Sequence, residues 1–188
     1  ENVATVIKKI DIFKKYEEEN VYGRDIALLK IDAKDLPTVK FGDSDKLAIC
    51  DRIFIVGYPG PVASHPLISP NYTLEPSITS GIISAKRRTT DQTEVFQTDA
   101  AITHGNSGGP VFNENNELIG MATFGSTSSD LFGGEVQGFN FLIPVNEIKS
   151  FLSGTEVKTV AGGGILFIYG NIRFILIPIV LVIMIFLV

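Results

Sequence analysis

The sequence predicts an all-β fold of antiparallel strands. Three observations carry that expectation. Eight short runs rich in β-branched and aromatic residues recur along the chain. Clusters of Gly, Pro, Asn and Asp separate them at the spacing of a barrel or sandwich. Before the last apolar stretch, one segment alone has the pattern of a soluble helix.

The elements follow in order. Residues 3–13 are rich in Val, Ile and Thr and read as a strand. Lys14 to Asn20 reads as a charged turn, with Glu17-Glu18-Glu19 at its solvated tip. Ala27 to Ile31 is a second strand, and Ala33 to Lys46, with Pro37, Gly42 and several aspartates, is a connection. Strands are then expected over Arg52–Gly57, Ile78–Ala85, Glu94–Thr98, Pro110–Phe112, Leu118–Phe124 and Gly138–Ile143. Residues 59–76 form a loop with five prolines, long enough to suggest a functional rim as well as a slack connection. Within it Asn71-Tyr72-Thr73 matches a glycosylation acceptor, a short pattern that also arises by chance. Val145–Leu152, opened by Pro144, is the soluble helix.

Composition narrows the function. Sixteen basic against twenty-one acidic residues give a formal charge of −5, and no basic run exceeds Lys86-Arg87-Arg88. Nucleic acid is therefore not an expected partner. A single cysteine, Cys50, excludes an intrachain disulfide framework and a Cys-rich zinc site, and two histidines, His65 and His104, leave little for a histidine-built one. No metal or other cofactor is expected. Cys50 itself reads as a small buried hydrophobe.

After Ala161-Gly162-Gly163-Gly164 the character changes. Residues 165–188 hold twenty apolar residues of twenty-four, so the remainder of the chain is ordinary for a globular domain. As a helix this stretch would span about 36 Å against a hydrocarbon core of ~30 Å. A transmembrane helix is expected, with Arg173 snorkelling or lying at the entry interface. A buried helix or a pair of strands is the alternative. The chain starts at Glu1 and ends at Val188 inside an apolar run, so both ends read as cut or processed.

The sharpest chemical motif is Gly105-Asn106-Ser107-Gly108-Gly109-Pro110. Acyl transfer by serine needs a hydroxyl projecting from a tight loop and backbone N–H groups aimed at the developing oxyanion. The glycines around Ser107 allow both, with Gly105, Asn106 and Ser107 framing an oxyanion hole in which the N–H groups of Gly105 and Ser107 converge. A plain Gly/Ser/Pro turn shares the composition, but the hexapeptide is more specific than that.

With Gln97-Thr98-Asp99-Ala100-Ala101-Ile102 before it, this hexapeptide resembles the serine loop of trypsin-like serine peptidases, and of the HtrA (Deg) branch in particular. Gly23-Arg24-Asp25-Ile26-Ala27-Leu28-Leu29-Lys30-Ile31 is similar to the strand that carries the triad aspartate. Phe41-Gly42-Asp43-Ser44-Asp45, Ile55-Val56-Gly57-Tyr58-Pro59, Thr79-Ser80-Gly81-Ile82-Ile83-Ser84 and Gly138-Phe139-Asn140-Phe141-Leu142-Ile143-Pro144 follow in family order. The resemblance covers roughly residues 20–152. It implies a trypsin-like double antiparallel β-barrel with the first barrel incomplete and a short C-terminal helix, after which the composition of 165–188 adds the transmembrane helix.

The resemblance implies that Asp25 and Ser107 are catalytic. A carboxylate entering a core beside Ile26-Ala27-Leu28 needs a donor, and an imidazole would be one. The family's triad histidine would fall just before Glu1, and His104, three residues before Ser107, reads as a rim or exposed residue. The 188-residue chain alone is therefore expected to be nearly inert. Ala101 stands where trypsin has the aspartate that binds basic side chains, so basic-residue specificity is disfavoured. Ile102 and Phe139 match pocket-lining positions and imply a pocket for a small or medium aliphatic residue. Asn140 stands where the family commonly has glycine. Asp99 reads as structural, holding the serine loop by hydrogen bonds.

The expected organisation is residues 1–32 as the closing hairpin of the first barrel, 33–45 as the link, 46–153 as the C-terminal barrel and helix, 154–164 as a hinge and 165–188 as the transmembrane segment. The expected function is a membrane-tethered serine endopeptidase, its domain outside the cytoplasm, acting on unfolded or extended polypeptides. The lipid bilayer would be engaged through residues 165–188, and a homo-oligomer is compatible with the family. The alternative is a pseudoprotease or peptide-binding module that uses the same groove.

Overall fold

The computed structural model describes residues 4–10, 13–16, 19–22, 26–31, 38–72, 75–125, 139–153 and 173–175. The chain opens with β1 (Ala4–Ile10), β2 (Phe13–Tyr16), β3 (Glu19–Tyr22) and β4 (Ile26–Ile31). β1 and β4 pair antiparallel, Ala4 opposite Ile31 and Ile10 opposite Ile26, with a register shift between Val6 and Lys8. β2 and β3 form a hairpin in which Lys14 faces Val21 and Lys15 faces Asn20. The stretch expected as a charged turn is thus largely strand, because the ladder uses backbone groups that a charged composition leaves intact.

Next come β5 (Arg52–Gly57), the single-turn α1 (Gly60–Ala63), β6 (Ser77–Arg88), β7 (Glu94–Thr98), β8 (Pro110–Phe112), β9 (Leu118–Gly125), β10 (Asn140–Pro144) and α2 (Val145–Leu152). The six strands close into an antiparallel barrel in the order β10-β7-β6-β5-β8-β9. β10 seals it, placing Asn140 opposite Thr98 of β7 on one side and opposite Gly125 of β9 on the other. The mostly-β architecture with a closed barrel and the short helix α2 is the one expected; the single turn α1 lies in the stretch read as loop.

Alternation along the strands fills the barrel. On β5, Ile53 and Ile55 are buried while Arg52 is exposed. They meet Leu47, Ile83, Phe96, Val111, Ile119 and Leu142 in one core. A second core joins the first sheet to the barrel: Ile26 and Leu28 of β4 pack with Met121, Ile143 and the apolar face of α2, which presents Ile148, Phe151 and Leu152. Each large side chain so buried contributes roughly 1.5–3 kcal/mol. The link before the barrel is fastened to α2. Asn146 Nδ2 donates to Asp43 Oδ1 at 2.9 Å, and Lys149 Nζ donates to the Gly42 carbonyl at 2.6 Å.

Two expectations are corrected. Within the expected transmembrane helix, Arg173–Ile175 form a strand, β11, antiparallel to β4 with Arg173 opposite Ile31. Among the described residues no helix is long and apolar enough to cross a membrane. β-Branched, apolar sequence satisfies a sheet edge as readily as a bilayer, and here the free edge of β4 takes it. The rest of 165–188, and the hinge 154–164, lie outside the described residues. Cys50 is exposed rather than buried. Its N–H donates to the Ile83 carbonyl at 2.9 Å in a tight turn with φ of 76°, which turns the side chain outward.

Candidate active site

β7 ends at Thr98, and the chain leaves the barrel wall to reach β8 at Pro110. Side chains replace the ladder along this stretch. Ala100 N–H donates to Thr98 Oγ1 at 3.0 Å, and Asp99 Oδ1 accepts from Ile82 N–H at 2.8 Å. Asp99 therefore has the structural role its sequence context suggested. Asn140 Nδ2 donates to the Ala100 carbonyl at 2.8 Å, and Thr79 Oγ1 to the Ala101 carbonyl at 2.9 Å. Thr79 was not singled out from sequence; its β-strand context carries no hint of a contact twenty-two residues away.

Residues 104–108 form the turn that carries Ser107. Gly105 sits at φ +101°, and a Cβ there would lie 2.0 Å from the Tyr58 carbonyl oxygen, so glycine is obligatory on both counts. The loop after β5 is stitched to this turn: Gly60 N–H donates to the His104 carbonyl at 2.7 Å, and Tyr58 N–H to the Gly105 carbonyl at 3.4 Å. At the far side, Gly108 N–H donates to the Ala122 carbonyl at 2.6 Å and Ala122 N–H to the Gly109 carbonyl at 2.9 Å. Ser107 is half-buried at the crest.

The N–H groups divide unequally. Asn106 N–H donates to the Thr103 carbonyl at 3.0 Å. Among the described residues no acceptor meets the N–H of Gly105 or of Ser107. The Asn106 side chain is 3% exposed, and its Oδ1 has no hydrogen-bond partner.

Of the residues expected to line a pocket, Asn140 reaches the serine loop through Ala100, and Ile102 is half-buried against the barrel core. Phe139, next to Asn140, is 47% exposed. Asp25 lies outside the described residues, although β4 starts immediately after it. His104 is exposed, and His65 Nδ1 accepts from Leu67 N–H at 3.2 Å in a local turn. No hydrogen bond joins either imidazole to Ser107 among the described residues. No cluster of potential metal ligands occurs among the described residues. A polar groove of about 490 Å³ lined by Asp43, Lys46, Arg52, Asn113 and Glu117 lies at the Arg52 end of β5, opposite the Gly57 end that meets the serine loop.

Comparison with known proteins finds relatives over this stretch of the chain. The chain is 42% identical over 127 residues to "Probable periplasmic serine endoprotease DegP-like" of Pseudomonas putida (strain W619), covering 65% of this chain and 23% of that protein. Proteins of the same description from Halomonas elongata and Marinomonas sp. (strain MWYL1) are each 39% identical, over 127 and 136 residues, covering 65% and 67% of this chain and 23% and 26% of theirs. The match thus spans about a quarter of the length of these relatives. The family described as "Trypsin-like peptidase domain" matches residues 4–121, the stretch that runs from the first sheet through the serine loop into β9, and the chain belongs to that family.

Proposed function

We propose that the chain carries the nucleophile and oxyanion site of an HtrA-type serine endopeptidase acting on extended polypeptides. The observation that carries this reading is the crest itself: a half-buried Ser107 on a positive-φ glycine turn, with the N–H groups of Gly105 and Ser107 unpaired while that of Asn106 is consumed inside the loop. Two free donors beside a nucleophile are what a tetrahedral oxyanion requires. Ser107 Oγ attacks the scissile carbonyl while its proton passes to an imidazole oriented by Asp25; the C–N bond then breaks as the imidazolium protonates the leaving amine, and water hydrolyses the acyl-enzyme ester to the acid and free Ser107. Among the described residues neither His65 nor His104 is bonded to Ser107, so neither is assigned as that imidazole. Ala101, Ile102, Phe139 and Asn140 support a preference for a small or medium aliphatic residue at the cleaved position.

The relatives' description as periplasmic supports placing the domain outside the cytoplasm. The apolar run from Leu176 to Val188 supports attachment to a bilayer, which carbonate extraction of membranes tests: release into the supernatant refutes it.

The central test compares this chain with one extended upstream through the expected histidine. The extended protein labels with a fluorophosphonate and cleaves peptides after Val, whereas the 188-residue chain does so at least about a thousandfold more slowly. Ser107→Ala abolishes both reactions, and Asp25→Asn lowers them strongly by misplacing the imidazole tautomer. An extended chain without any histidine makes the peptide-binding reading the right one. Equal rates from the short and long chains refute the missing base.

A further inference from the structure

We propose that Thr79 and Asn140 are positioning residues that fix the floor of the primary specificity pocket and keep it apolar; this rests on the serine-peptidase reading above. In the barrel β7 lies between β10 and β6. The ladder on both sides ends at Thr98, which faces Asn140 of β10 and Ile83 of β6. Beyond that point the strap from Asp99 to Ile102 must be held by something else. The two flanking strands supply it from opposite sides, each with one side chain. Asn140 Nδ2 takes the Ala100 carbonyl at 2.8 Å, and Thr79 Oγ1 takes the Ala101 carbonyl at 2.9 Å.

The consequence is chemical as well as mechanical. On the serine-peptidase reading Ala101 lies at the base of the pocket, and with the carbonyls of Ala100 and Ala101 both satisfied, neither is a free acceptor for a substrate side chain there. A peptide carbonyl stripped of its donor seeks another. Removing Thr79 Oγ1 or Asn140 Nδ2 therefore gives a donor-bearing substrate side chain, such as Gln, an acceptor it did not have.

The test uses the full-length encoded polypeptide, with Thr79→Val and Asn140→Leu as near-isosteric losses of the donor and Thr79→Ser as its conservative restoration. Peptides differing only in Val or Gln at the cleaved position give kcat and KM, and amide hydrogen exchange follows Ala100 and Asn106. The expected result is a fall of about tenfold in the Val-over-Gln preference, carried mainly by KM. Exchange at Ala100 quickens while Ile55 and Phe96 in the barrel stay protected, and Thr79→Ser behaves as wild type. A preference that stays unchanged in both variants overturns the inference, as does an equal loss of kcat for both peptides, which marks a merely structural contact. A wild-type protein that cleaves neither peptide overturns the peptidase reading, and the pocket with it.

Discussion

The side chain of Asn106 lies directly against the Cα of Gly57: a Cβ built on Gly57 would stand 2.5 Å from Asn106 Oδ1 and 3.0 Å from Asn106 Cα. The last residue of β5 thereby forms the seat of the serine turn, and the buried amide of Asn106 is the part that sits in it. The first prediction follows. Gly57→Ala forces the turn away from the barrel, costing about 1–3 kcal/mol in chemical denaturation. In the catalytically complete protein it also reduces fluorophosphonate labelling of Ser107. Labelling at the wild-type rate with unchanged stability would show that the turn relaxes at no cost.

Gly105 answers to a different constraint. Its φ of +101° and the Tyr58 carbonyl oxygen 2.0 Å from any Cβ leave no room for a side chain. Gly105→Ala should rotate the peptide that presents the Gly105 N–H, so acylation falls at least about a hundredfold, the scale of losing one oxyanion donor. The barrel, whose core does not include Gly105, should keep its near-native circular dichroism. Stopped-flow acylation kinetics read the first effect and thermal melts the second.

Acid stability should depend on the link between the first sheet and the barrel. Asn146, the Asp45 N–H and Lys46 hold the Asp43 carboxylate below its ordinary value of 3.8. Lys40, at 2.6 Å, and Asn113 hold Glu117 below its ordinary 4.5. Both groups have lower pKa values folded than unfolded, so their contribution is present above 4.5 and 3.8 and is lost as pH falls through the folded values. Urea unfolding between pH 7 and pH 3 should show a decline in the acid range that is shallower in Asp43→Asn and Glu117→Gln. Parallel curves for wild type and both variants would contradict this.

The helix α2 packs between the first sheet and the barrel. Phe151 is 1% exposed among Ile26, Leu28 and Met121. Phe151→Ala should cost about 3–5 kcal/mol by leaving a cavity. The loss should appear as cooperative unfolding of the first sheet and barrel together. A variant in which the barrel melts at its wild-type temperature while the first sheet alone is lost would show that the two cores are energetically separate.

Much of this was legible in the residues themselves. Alternation at Ile53 and Ile55, the β-branched run Glu94–Thr98 and the amphipathic Val145–Leu152 marked barrel strands and a helix, because period and turn chemistry are local properties. The glycines of 105–110 likewise announced a tight turn around a serine. The tertiary structure decided what depends on partners distant in the chain. Lys14 to Tyr16 became strand because Glu19 to Tyr22 lies opposite, and Arg173–Ile175 became strand because β4 had a free edge. Cys50 faces solvent because a turn at positive φ, fixed by Ile83, turns it outward. Thr79 and Gly57 acquired their roles only when β6 and β5 were laid against Ala101 and Asn106. A hydrogen bond across twenty-two residues, or an empty Cβ position under a turn, leaves no periodicity in a sequence; it arises from the packing of strands that the pattern can name but cannot place in space.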